Sequence, residues 1–224
     1  MTRPHSGFLC ALAPQAARIL VAAGLVAVAV GVVLNSPEPG YPCGRPGPTP
    51  GALRVAVSNA TGAAWYDAAN PPPALTDQIT QIATRLYPGA TATMVAYVKN
   101  AGSARGTTSI SVRDLVDSGG AWTDPERRIE PVTDIGDLSA NIDVTVLYSS
   151  SLAPQVAYTV ARGSLRALAG RVLQAPVVLS PYTTRSREVG TWRIAVAVPA
   201  SADNRIQGDT SSCSVRFGLT QCPR

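Results

Sequence analysis

The sequence predicts an α/β fold, in which a mixed β-sheet carries two main helices and is preceded by one transmembrane helix. Three observations support this prediction: a long apolar run near the N-terminus, several short segments that alternate apolar and polar residues, and two longer segments with apolar residues at helical spacing. After the apolar run, the order strand-helix-strand-strand occurs twice. This order favours helices packed against a sheet.

The apolar run predicts a membrane anchor over residues 19–34, with residues 1–18 as a cytoplasmic tail. The run contains no polar residue, and as a helix it would span about 24 Å, which is short but workable for a bilayer. Arg3 and Arg18 precede it without any acid, which predicts that the N-terminus stays inside and the remainder lies outside. A cleaved signal peptide is the alternative that the sequence leaves open.

The next segment, residues 35–51, is predicted to be a spacer. It holds six prolines and four glycines, a composition that disfavours helix and favours extended polyproline II. Residues 52–224 follow as one extracytoplasmic domain, which is long enough to bury a core.

The first half of this domain opens with a strand over 53–57. An apolar stripe formed by Leu75, Ile79, Ile82 and Leu86 then predicts the first helix, which Pro88 and Gly89 end. Strands over 91–98 and 107–112 follow, and the loop between them predicts a hairpin.

The second half begins with an alternating strand over 142–148. A long helix is predicted over 152–174, because apolar residues recur along it, Pro154 fits a first turn and Pro176 ends it. Short strands are predicted over 177–179 and 192–198.

The cysteines predict a disulfide between Cys213 and Cys222, which enclose eight residues. This pairing would leave Cys43 unpaired on the oxidising side and Cys10 on the reducing side. The alternative joins Cys43 to one of the two C-terminal cysteines.

Several chemistries are excluded by the residues present. His5 is the only histidine and Lys99 the only lysine, so the outer domain offers no Ser-His-Asp triad and no histidine-ligated metal. No glycine-rich nucleotide motif occurs, and we predict no cofactor. The net charge of +5 is too modest and dispersed to indicate nucleic acid.

An acid-rich segment over 114–137 is the main candidate for ion chemistry. Oxygen ligands from Asp114, Asp117, Asp134 and Asp137 are the candidates for a cation site. A carboxylate pair for glycan hydrolysis is the alternative use of the same segment, and a solvated loop is the interpretation that the pattern favours.

Arg162, Arg166 and Arg171 are predicted to form a docking face on the polar side of the long helix, for an anionic polymer or an envelope protein. The function predicted is therefore a binding or scaffolding module of a bacterial cell envelope, attached to the membrane by a single pass. The alternatives are a carboxylate-dependent glycan-processing enzyme and a subunit of a secretion or conjugation complex.

Overall fold

A computed structural model describes residues 9–12, 19–22, 52–71, 74–75, 89–119, 128, 136, 138–202 and 209–222. In these residues the protein is built from two β-sheets. The helical elements that lie entirely within them are the short helix α1 (Leu165–Leu168) and a 3-10 turn at Leu138–Ala140. The predicted α/β fold is therefore wrong, because no helix in these residues packs as a layer on a sheet.

The larger sheet has six antiparallel strands in the order β4–β3–β5–β10–β7–β8. Their bounds are β3 (Leu53–Ala56), β4 (Tyr66–Asp67), β5 (Thr91–Asn100), β7 (Asp143–Ser150), β8 (Ala153–Ser164) and β10 (Gly190–Ala197).

The smaller sheet has five strands: four lie in the order β1–β11–β6–β9, and the fifth, β2, also pairs with β11. Their bounds are β1 (Leu9–Leu12), β2 (Ile19–Ala22), β6 (Gly106–Ser118), β9 (Val172–Gln174) and β11 (Thr210–Gln221).

The hydrophobic core draws residues from both sheets, and it follows the two-residue period of the strands. Along β10, Trp192, Ile194 and Val196 are buried while the residues between them are more exposed. The Trp192 indole meets the Tyr148 ring edge-on, with ring centroids 4.9 Å apart, an arrangement that aromatic pairs favour. One side of each sheet is thereby committed to the core, and the other side is left for solvent or ligands.

The long helix predicted over 152–174 is wrong, because this segment forms β8, α1 and β9. Apolar spacing suggested a helix, but the part that forms β8 contains Val156, Tyr158, Thr159 and Val160, residue types that fit a pleated strand better. A tight reversal after β7 lets β8 return antiparallel beside it, with Tyr148 opposite Tyr158. Gly163 and Gly170 both have positive φ angles, 158° and 78°, and these angles are incompatible with a continuous helix.

The hairpin predicted between the strands over 91–98 and 107–112 is also wrong, although both strands exist. β5 belongs to the larger sheet and β6 to the smaller one, so the loop between them carries the chain from one sheet to the other. Residues 177–179 contribute only an isolated bridge, between Leu179 and Gly106.

The predicted transmembrane helix is wrong at its first turn, because Ile19–Ala22 form strand β2. None of the helical segments in the described residues has the length and apolar character needed to cross a membrane. The rest of the predicted anchor, the spacer over 35–51 and most of the first predicted helix lie outside the described residues.

The strand geometry does not fit the predicted disulfide between Cys213 and Cys222. Both cysteines are disulfide-bonded, but β11 is extended between them. Nine residues of strand cover about 30 Å, whereas the Cα atoms of a disulfide lie about 4–7 Å apart. The extended strand between Cys213 and Cys222 therefore argues against this pairing.

Candidate functional site

An open cavity of about 480 Å³ lies on the smaller sheet, where β6, β9 and β11 run side by side. Directly opposite residues of paired strands point to the same face. Since Ile110 and Val112 of β6 face the core, the residues between them and their β11 partners line the outer face. These outer residues that line the cavity are Ser109, Ser111, Arg113, Arg216, Gly218 and Thr220.

The floor of the cavity is polar but shielded. Ser109, Ser111 and Thr220 are all less than a tenth exposed, so their hydroxyl groups lie at the bottom rather than at the rim. Each hydroxyl can donate one hydrogen bond and accept others. Val172 of β9 adds one half-exposed apolar side chain to the lining. Such a floor suits a ligand with hydroxyl or phosphate oxygens.

Asp114 reaches this cavity because of a β-bulge. Arg113 pairs with Ser214 and Val116 pairs with Ser212, so two residues of β6 lie opposite one residue of β11. Asp114 has a φ of 53° and is the only non-glycine residue with positive φ among the described residues. Bulges re-aim side chains, and a strained backbone of this kind is commonly held at functional sites.

The Asp114 carboxylate lies between a hydroxyl and a guanidinium group. Its Oδ2 accepts a hydrogen bond of 2.8 Å from the Ser214 hydroxyl and lies 3.4 Å from Arg216 Nη2. Both members of this ion pair are more than half exposed, so the pair contributes little to stability. Arg216 is consequently available to exchange this contact for a ligand.

Arg113 provides the second positive charge of the cavity. Its Nε donates a hydrogen bond of 3.4 Å to the Ser111 hydroxyl, which holds the base of the guanidinium group against the floor. Two guanidinium groups on neighbouring strands with hydroxyl groups between them can bind a phosphate or carboxylate through charge-assisted hydrogen bonds.

The predicted cation site is not assembled in the described residues. Asp117 accepts hydrogen bonds from the Ser139 hydroxyl and from Arg166 Nη2, the latter at 2.9 Å, while Asp114 faces Arg216. Asp134 and Asp137 lie outside the described residues. Among the residues that are described, no cluster of metal-ligating side chains occurs, and the cation site stays a prediction.

The three arginines of the predicted docking face do not share a helix. Arg162 is on β8, where its Nε donates to the Thr145 hydroxyl at 3.3 Å. Arg166 is on α1 and pairs with Asp117, and Arg171 is exposed just before β9. The two arginines that line one cavity are instead Arg113 and Arg216.

Sequence reasoning missed Arg216 and the cavity altogether. A signal was present in the C-terminal strand, where the small or polar residues Ser214, Arg216, Gly218 and Thr220 alternate with apolar ones. Alternation of this kind predicts a polar face, but the face of β6 that it joins depends on the pairing of strands about 100 residues apart.

A second cluster that the sequence did not indicate surrounds Lys99. Its Nζ lies 4.4 Å from the centroid of the Trp65 ring and 4.5 Å from that of Tyr182, and cation–π attraction favours this position. Burial and the nearby Arg54 lower the pKa of Lys99. The Lys99 ammonium group occupies the space between the two rings. These contacts hold the loops that carry Trp65 and Tyr182 against the end of β5.

The chain matches no protein-family profile and no curated protein sequence.

Proposed function

We propose that this protein is a non-enzymatic binding module of the cell envelope, which recognises an anionic polymer in the cavity between β6, β9 and β11. The observation that carries the proposal is the convergence of Arg113 and Arg216 above a floor of shielded hydroxyl groups. A polymer with repeated phosphate groups supplies the negative charges and oxygen acceptors that these groups require.

The proposed location is outside the cytoplasm, at the outer face of the membrane. Support comes from Cys213 and Cys222, which are both disulfide-bonded, because structural disulfides persist in oxidising compartments.

The test measures binding of the full-length protein to a soluble glycerol-phosphate polymer by isothermal titration calorimetry. We expect Arg113→Gln and Arg216→Gln each to weaken binding about tenfold, because each removes one charge-assisted hydrogen bond. Arg193→Gln is the matched control, since Arg193 is exposed on the outer face of the larger sheet. Equal affinity of wild type and both cavity variants, or an equal loss in the control, would exclude the proposal.

The two other functions stay predictions. A glycan-processing enzyme would need two suitably placed carboxylates, and the described cavity supplies only Asp114. A role in a secretion or conjugation complex has no described residue that favours it.

A further inference from the structure

The carboxylate of Asp114 lies in a cavity proposed to bind anions, where its negative charge would repel the ligand. Asp114 lies beside Arg216, where it partly cancels the charge that an anionic ligand would seek. A site that recognised phosphate alone would bind more tightly without this carboxylate. Asp114 is nevertheless held there by a bulge and a positive φ angle.

The hydrogen bonds of Asp114 indicate which chemical group it recognises. Its carboxylate accepts a hydrogen bond of 2.8 Å from an aliphatic hydroxyl, that of Ser214. The side chain remains more than half exposed, so a ligand hydroxyl can approach the same carboxylate from the cavity side. A carboxylate only accepts hydrogen bonds, so it favours a ligand that carries a hydrogen-bond donor next to its anionic group, here an O–H group like that of Ser214.

We infer that the ligand is a polyol phosphate, a phosphodiester whose carbon backbone bears free hydroxyl groups. Arg113 and Arg216 bind the phosphate oxygens, and Asp114 accepts a hydrogen bond from the neighbouring ligand hydroxyl. The hydroxyl floor of Ser109 and Ser111 contacts the remaining oxygens. This inference rests on the proposed function and adds the hydroxyl requirement to it.

The test compares three probes at equal phosphate concentration with the full-length protein. The probes are a glycerol-phosphate polymer, the same polymer with its hydroxyl groups acetylated, and inorganic polyphosphate. We expect the free-hydroxyl polymer to bind about tenfold more tightly than the acetylated polymer, since one hydrogen bond to a charged group is lost.

Asp114→Asn is the decisive variant, because asparagine tolerates a left-handed backbone and has the same shape. It removes the negative charge and replaces one acceptor oxygen by an amide donor. We expect it to weaken binding of the free-hydroxyl polymer and to strengthen binding of inorganic polyphosphate, where only repulsion is removed. Opposite signs for two probes cannot come from misfolding.

The outcomes separate this inference from the proposed function. If all three probes bind equally and Asp114→Asn strengthens all of them, the hydroxyl requirement is wrong while the anion site stands. If no probe binds, or if Arg113→Gln and Arg216→Gln bind every probe like wild type, the proposed function fails as well.

Discussion

The buried phenol of Tyr148 makes stability depend on pH in the alkaline range. Tyr148 lies in the core against Trp192 and is fully buried. Burial raises the pKa of Tyr148 to about 12, the Thr108 hydroxyl partly opposes this shift, and the charge of Glu188 adds to it. Within the described residues, the Tyr148 and Thr108 hydroxyl oxygens are both buried, and neither has a partner at hydrogen-bond geometry. The effect of Thr108 on the pKa of Tyr148 is therefore weaker than that of burial.

The direction of the pH dependence follows because the folded state stabilises the neutral phenol of Tyr148 relative to its anion. In the unfolded chain Tyr148 ionises near its ordinary pKa of about 10. The stability that the neutral Tyr148 phenol contributes is therefore fully present below pH 10 and is lost as the pH rises toward 12. At pH 11 the loss relative to pH 8 is about 1.4 kcal/mol, since a full pKa unit is worth that amount.

The assay is urea unfolding of wild type and Tyr148→Phe between pH 8 and pH 11, followed by tryptophan fluorescence. We expect wild type to lose about 1.4 kcal/mol more than Tyr148→Phe over this range. Tyr66→Phe is the control, because Tyr66 is exposed on β4, and it should retain the pH dependence of wild type. The reasoning is refuted if Tyr148→Phe loses as much stability as wild type between these two pH values.

Three further perturbations follow from described contacts. Gly190→Ala would place its Cβ against the Tyr148 hydroxyl and 2.9 Å from the ring carbons, so we expect a loss of about 1–3 kcal/mol in thermal unfolding; an unchanged melting temperature would contradict the packing. Glu188→Ala removes the acceptor of the Ser150 hydroxyl and of the Ser180 amide, each at 2.9 Å, and should cost about 2–5 kcal/mol in urea unfolding, with Glu188→Gln as the milder control. Lys99→Met removes both cation–π contacts and should cost about 1 kcal/mol, whereas Lys99→Arg should keep most of that stability; equal effects of the two substitutions would argue against the cation–π contribution.

Much of the strand content could be predicted, because a half-buried strand leaves a local signature. The alternation in 91–98, 107–112, 142–148 and 192–198 indicated strands, and all four segments lie largely within β5, β6, β7 and β10. The wrong prediction of a helix over 152–174 arose because the apolar residues of this segment fit both the 3.6-residue period of a helix and the two-residue period of a strand. Apolar residues there fit a helical stripe on paper, and only pairing with β7 makes the strand preferable.

The candidate site was predictable only in part. The acid-rich segment drew attention to Asp114, but the sequence could not show that a bulge aims this carboxylate at Ser214 and Arg216. Helical spacing placed Arg162, Arg166 and Arg171 on one face. The segment instead forms β8, α1 and β9, so the three arginines lie on different elements or between them.

By itself the sequence determined which reactive side chains and which nucleotide-binding motifs are present. His5 is the only histidine and Lys99 the only lysine, and no glycine-rich nucleotide motif occurs, so residues 52–224 hold no histidine for a Ser-His-Asp triad or a histidine-ligated metal. Only the tertiary structure decided that Arg113 and Arg216 line one cavity and that the chain is extended between Cys213 and Cys222. The physical reason is that strand register and extension set distances between residues far apart in the chain, and local sequence does not encode them.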